Sequence, residues 1–322
     1  LNPVGEYRLA GTNGYPQPTI ASLKANFSVG PRLVSLRSYS LLITLSVIWG
    51  LAFVAIRRAD FELSPINLTL LRWFIVSAGF LVIYPFVIKS KTKFERRDFP
   101  RLLVVALTSV VIYHLALNTA EVQVDASLAG LLISIGPLTT VLLSVLVLHE
   151  KTRSRLWWAV ALAIVGSVLV ASPDLILSGS SWTGPLLVVI AAISGGTFTV
   201  ASKPLAMKYG PFPVAAWAAF LGTAILTPLI SPSLVQQAES MSAYGWVSVL
   251  YLALLSTVLA NMIFFTLVSR HQLSRLGVQL YLVPAVSAVG GVLILGESLA
   301  AATIAGGALL LVAVALATSG HH

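Results

Sequence analysis

Ten apolar runs divide the chain from residue 40 onward. They cover about 40–56, 66–88, 102–120, 126–148, 156–172, 184–202, 212–231, 246–268, 275–296 and 301–318. A bilayer core of about 30 Å is crossed by about 20 residues rising about 1.5 Å each. The run 126–148 meets that requirement without a single charge. Membrane barrel strands would show short alternating segments, and these runs are continuous. Backbone groups in hydrocarbon have no water to bond, so the runs are expected to be helices. The pattern predicts an all-α integral membrane protein with ten transmembrane helices and both ends on one side.

Composition sharpens this. Of 322 residues, 57% are hydrophobic and 10% are charged, and the mean hydropathy is +0.92. Soluble domains carry about 25% charged residues, so a disordered chain is excluded and a water-soluble enzyme is disfavoured. There is no cysteine, hence no disulfide framework and no thiolate metal site. The net charge of +9 would suit nucleic acid if it lined one polar face. Instead the basic residues fall between the apolar runs, which points to a lipid surface and away from nucleic acid. Seventeen lysines and arginines lie on the side of the termini, against Arg57 and Arg58 on the other. That bias places both termini in the cytoplasm. The block Lys89, Lys91, Lys93, Arg96 and Arg97 is then a cytoplasmic loop facing anionic headgroups.

The chain repeats itself. Ile48, Gly50 and Phe53 recur as Ile193, Gly195 and Phe198 at an offset of 145, while Gly130, Pro137 and Glu150 recur as Gly277, Pro284 and Glu297 at 147. A unit of five spans is odd, so its second copy enters the membrane upside down. Inverted repeats mark many secondary transporters, whose substrate site lies between the halves near the midplane. The expected organisation is a tail or cloning remnant over 1–39, a first five-helix repeat over 40–172 and a linker over 173–182. A second repeat follows over 183–318, then a tag remnant over 319–322 that contains His321 and His322. The leading segment lacks the central apolar run of a cleaved signal peptide.

The order of motifs resembles a known family. Trp49-Gly50 with Phe53, Leu71-Arg72-Trp73-Phe74, and Ser134-Ile135-Gly136-Pro137-Leu138 running to Leu148-His149-Glu150 resemble EamA-type members of the drug/metabolite transporter superfamily. Val283-Pro284 to Leu295-Gly296-Glu297 repeats the last piece. Among these members the chain looks most similar to YddG-like aromatic amino-acid exporters. It departs from the pattern at Trp217, where the second half would carry arginine, and at His149, opposite Gly296. The resemblance implies export of small metabolites, often amino acids, with no cofactor. The sugar-phosphate branch fits less well, because only Arg72 adds a basic group within a span.

Individual residues then suggest a cavity. Pro137 and Pro284 each remove an amide donor mid-span and crowd the carbonyl four residues back; a paired hinge and a static packing kink are the two readings. Trp49 sits deep for an indole, whose N–H needs a partner there, and with Phe53 and Phe198 it would form an aromatic wall. Tyr113, His114 and Asn118 share part of one helix face. Ser134, Thr197, Gln279 and Tyr281 are further polar candidates, with Ser194, Thr199 and Asn261. Arg72 is expected close enough to the external edge to snorkel and to pair with Glu121 or Asp125, as a structural ion pair or an external gate. Glu150 and Glu297 are expected to cap or tie loops. No carboxylate lies mid-span, which leans toward facilitated diffusion or exchange, with His114 a route to proton coupling.

No phosphate loop, HExxH pair, GxSxG elbow or cysteine nucleophile is present, so the chain reads as a non-enzyme. The expectation is a secondary transporter that exports small organic metabolites, amino acids first among them, by alternating access. Spans 1, 3, 4, 6, 8 and 9 would line its cavity. Its partners would be a small-molecule substrate and the bilayer, and a monomer is compatible with the pattern. The competing readings are an intramembrane lipid-modifying enzyme using His114 with Glu121 or Asp125, and a non-transporting scaffold or gated pore.

Overall fold

The structure, a computed structural model, describes residues 36–87, 94–148, 155–177, 181–263 and 278–318. Among these residues every regular element is helical. We number the helices α1 (Leu36–Ala59), α2 (Pro65–Val87), α3 (Arg96–Glu121), α4 (126–148), α5 (Arg155–Leu177) and α6 (Thr183–Tyr209). There follow α7 (Pro211–Leu226), α8 (Pro232–Ser240), α9 (Ala243–Ile263), α10 (278–295) and α11 (Ala301–Thr318). Six of them, α1, α2, α3, α6, α7 and α9, are long and apolar enough to cross a membrane. The other four apolar runs hold shorter apolar helices, 126–140, 157–172, 282–295 and 301–316. The nine-residue α8 was not expected; its polar sequence PSLVQQAES lacks the apolar period that the spans show. α5 continues to Leu177, into the stretch expected as a linker. The segments 1–35 and 319–322, Lys89, Lys91, Lys93, His149, Glu150 and Gly277 lie outside the described residues.

Local chemistry sets the breaks. Pro65, Pro211 and Pro232 open α2, α7 and α8, where the missing N–H has no helical partner to lose. Gly210, at φ +88°, ends α6 immediately before Pro211, a left-handed position that side chains resist. Ser242 caps α9 by accepting from the Gly245 amide at 3.2 Å. α4 is interrupted by a 3₁₀ turn, Ile133–Ile135, immediately ahead of Gly136-Pro137. Pro137 has no amide to give the Ile133 carbonyl, and the helix tightens there. Wide π turns occupy Leu107–Ile112 in α3, Tyr251–Leu259 in α9 and Gly291–Leu295 in α10.

Lipid tails are as apolar as the side chains, so close van der Waals packing between helices has to hold the bundle. Glycines make the approach possible. On α11, a Cβ at Gly306 would stand 2.6 Å from the Gly166 carbonyl oxygen and from the Val170 nitrogen of α5. α1 packs on α9 and α10, α6 on α3 and α4, α2 on α7 and α9, α7 on α3, and α4 on α10. The core gathers Phe53, Ile56, Leu68, Leu117, Leu132 and Leu252 from five of these helices. Large apolar side chains such as Phe86, Trp158 and Leu293 stay exposed on the rim, as a lipid-facing surface requires.

Candidate functional site

The helices leave a cavity of about 310 Å³ at the centre of the bundle, within the size range of small-molecule sites. Trp49 and Phe53 of α1, Tyr113 and His114 of α3, and Phe198 of α6 line it, as the sequence suggested. α2 and α7, left out of the expected wall, also contribute: Arg72, Trp73 and Phe80 from one, Ala215 and Ala218 from the other. Asn261 lines it from α9 and Val283 from α10, while α4 supplies Ile133.

The π turns shape the polar part of the wall. In such a turn the chain bonds five residues back rather than four, which widens the helix and redirects its polar groups. In α9 the Thr257 hydroxyl donates to the Leu252 carbonyl at 2.8 Å and accepts from Arg72, at 3.3 Å from Nε and 2.9 Å from Nη2. The neighbouring Ser256 carbonyl accepts the Trp49 indole N–H at 3.1 Å. The deep indole thus has its partner on a facing helix while its ring borders the cavity. In α3 the π turn precedes Tyr113 and His114 and brings Ser109 and Val110 to the wall. Nδ1 of His114 bonds the Val110 carbonyl at 3.2 Å. The His114 ring meets Trp73 and Tyr113 edge-on, at 4.9 and 5.0 Å between centroids. Among the described residues the buried Trp73 indole N–H has no hydrogen-bond partner.

Other expected residues lie elsewhere. Asn118 is fully buried and donates to the Thr69 hydroxyl at 2.9 Å, pinning α3 to α2. Ser134 bonds the Leu131 carbonyl at 2.6 Å and Thr197 the Ile193 carbonyl at 2.8 Å, each within its own helix. The side chains of Gln279 and Tyr281 lie outside the described residues. Pro137 follows the 3₁₀ turn of α4, and Pro284 is buried within α10.

Arg72 departs most from expectation. It is 5% exposed, not snorkelling, and the π turn of α9 hands it Thr257 in place of a carboxylate. No described carboxylate lies within ion-pairing distance of it. Glu121 is fully buried, its carboxyl oxygens find no hydrogen-bond partner among the described residues, and the Arg57 guanidinium donates to its backbone carbonyl. His114 and Glu121 share no hydrogen bond. Asp125 precedes α4, its carbonyl accepting from Ala129 at 2.9 Å. Glu297 behaves as anticipated: its carboxylate accepts from the Ala126 and Ser127 amides at 2.8 and 2.9 Å, at the start of α4, where free amides favour an anion.

Polar ties close both ends of the bundle. At one end the Glu62 carboxylate accepts from the Ser242 amide and hydroxyl at 2.6 and 2.7 Å, and these bonds hold it below its ordinary pKa. Asn67 donates to the Gln237 side chain at 2.6 Å beside it. At the other end Lys208 bridges Glu95 and Asp98, 2.7 Å from each, and its bond lowers the Glu95 pKa. The Tyr209 hydroxyl donates to Asp98 at 2.6 Å. Among the described residues no three metal-ligating side chains gather.

The pattern of the EamA-like transporter family matches residues 36–172 and again 182–319. The chain belongs to this family. Its EamA relatives include an uncharacterized transporter of Archaeoglobus fulgidus, 29% identical over 83% of this chain and 93% of that protein. A probable terminal-alkyne amino-acid exporter of Streptantibioticus cattleyicolor is 31% identical over 84% of this chain and 89% of its own. A probable amino-acid metabolite efflux pump of Salmonella typhimurium is 26% identical over 82% and 89% respectively. A solved crystal structure matches with a TM-score of 0.58 at 21% identity, covering 88% of this chain and 96% of that one, a likeness of fold. This EamA protein is therefore an integral membrane transporter with a small-molecule substrate.

Proposed function

We propose that this transporter exports a small organic metabolite, an amino acid or close relative, by alternating access around the central cavity. The supporting observation is the way the helices pair. Shift each span by five and the contacts return: α1 on α9 and α10 becomes α6 on α3 and α4, and α2 on α9 becomes α7 on α3. The pairs α2–α7, α4–α10 and α5–α11 map onto themselves. Such reciprocity is what ten spans in two inverted repeats would produce, with the cavity on their seam. The termini then face the cytoplasm, Pro137 and Pro284 act as paired hinges, and one chain supplies the whole wall. The names of the Streptantibioticus and Salmonella relatives support the choice of substrate.

Reconstituted vesicles loaded with labelled amino acids test this. Saturable counterflow of at least one amino acid is the expected result. Flux no greater than that of empty vesicles for every amino acid would overturn the proposal, and flux that never saturates would indicate a pore.

A further inference from the structure

We infer that the cavity is a carboxylate site, with Arg72 binding the acid group of the substrate and the aromatic wall taking an apolar body. This rests on the transport reading above and names what its site recognises. Arg72 borders the cavity yet is 5% exposed. A guanidinium has five N–H donors, and here one hydroxyl, Thr257, occupies Nε and Nη2. A cation buried at membrane depth without an ion-pair partner is costly; the charge of Glu121 acts on Arg72 from a distance, but no described carboxylate lies within ion-pairing distance of it. Glu121 and Asp60 do not line the cavity; both lie by Arg57, which interacts with the charge of Asp60 and bonds the Glu121 backbone. The open space that Arg72 borders is where an anion can come into direct contact with it.

A second donor waits beside it. The Trp73 indole N–H is without a partner among the described residues, on a side chain 6% exposed that also borders the cavity. Arg72 and Trp73, adjacent in sequence, thus both border one small volume, with the indole N–H of Trp73 lying just behind its surface. The rest of the wall, with Phe53, Phe80, Phe198 and Val283, suits hydrocarbon or an aromatic ring. Among the described residues no Asp or Glu lines the cavity, so an ammonium group finds no charge partner there. The site selects substrates by their acid group and does not depend on the amine. Apolar monocarboxylates bind alongside apolar amino acids, and amines do not.

Isothermal titration calorimetry of the full chain in detergent tests this with phenylalanine, 3-phenylpropionate, 3-phenylpropionamide and 2-phenylethylammonium. Charge-assisted hydrogen bonds set the expected preference for acid over amide at about tenfold or more, with 3-phenylpropionate bound and the ammonium not. Arg72→Gln should erase the acid-over-amide preference. Should that variant fail to fold, the four ligands on the unaltered protein still decide. Amide binding equal to acid, tighter binding of the ammonium, or no binding of either acid would overturn the inference. Vesicle flux scores the transport reading separately. Acid binding without flux keeps the site and removes the carrier, while flux blind to the acid group does the reverse.

Discussion

Gly130 offers a sharp test of how the bundle is held. It lies on α4 against α10, and a Cβ there would stand 2.1 Å from Ser287 Oγ and 2.4 Å from Ser287 Cβ, whereas ordinary contact begins at 3.4 Å. Gly130→Ala therefore asks the two helices to part by about 1 Å, given that packed interiors yield little. Overpacking of this kind costs about 1–3 kcal/mol. The Ser287 hydroxyl now donates to the Ala126 carbonyl at 2.9 Å, and displacing it adds about 0.5–1.5 kcal/mol. Ser287→Gly alone loses that bond and gains a flexible residue, about 1–2 kcal/mol together. If the reasoning is sound, the double variant is more stable than Gly130→Ala by itself. The coupling should be at least about 1 kcal/mol. Reversible unfolding in mixed detergent and denaturant measures all four proteins. Penalties that simply add would refute the steric account. Flux should recover in step, because α4 and α10 also bring Ile133 and Val283 to the cavity.

Three further outcomes are expected. Burial pushes the Asp60 carboxyl up to about 8, against the opposing charge of Arg57. An acid whose folded pKa is raised binds more protons folded than unfolded, so stability should fall as pH rises from about 4 to about 8 and level off above. Melting curves across that range should show the decline, and Asp60→Asn should flatten it; a melting temperature that rises with pH through this window would contradict the assignment. Glu297→Gln keeps the shape but removes the charge facing the Ala126 and Ser127 amides, and should cost about 1–2 kcal/mol in an unfolding titration. Phe198→Ala should leave the fold intact while weakening substrate binding by about two- to tenfold, read as a rise in the half-saturating concentration for flux.

Much of this was legible because the bilayer permits few backbone solutions. The helix positions followed from run length, Glu297 from its place after a span, Trp49, Phe53 and Phe198 from depth and aromatic character, and Tyr113 and His114 from being polar within a span. What escaped was set by helix rotation. A regular 3.6-residue period gives no sign of the π turns in α3 and α9, and the one in α9 brings Thr257 to Arg72 and Ser256 to Trp49. Arg72 and Trp73 stand near the end of the second apolar run, yet the packing of α2 against its neighbours keeps both buried. Asn118 shares the regular stretch of α3 with Tyr113 and His114, but one turn beyond His114 the helix meets the Thr69 hydroxyl of α2 and not the cavity. α8 escaped because a short polar helix leaves little pattern.

The α5–α11 contact sets limits on movement. Its two backbones meet almost atom to atom at Gly166 and Gly306, and neither helix supplies a residue to the cavity. Any rocking of the remaining helices would then turn about a stationary post formed by this pair. A covalent bridge engineered across that post should leave turnover untouched, whereas one spanning positions 62 and 242 should freeze the cycle at half a stroke.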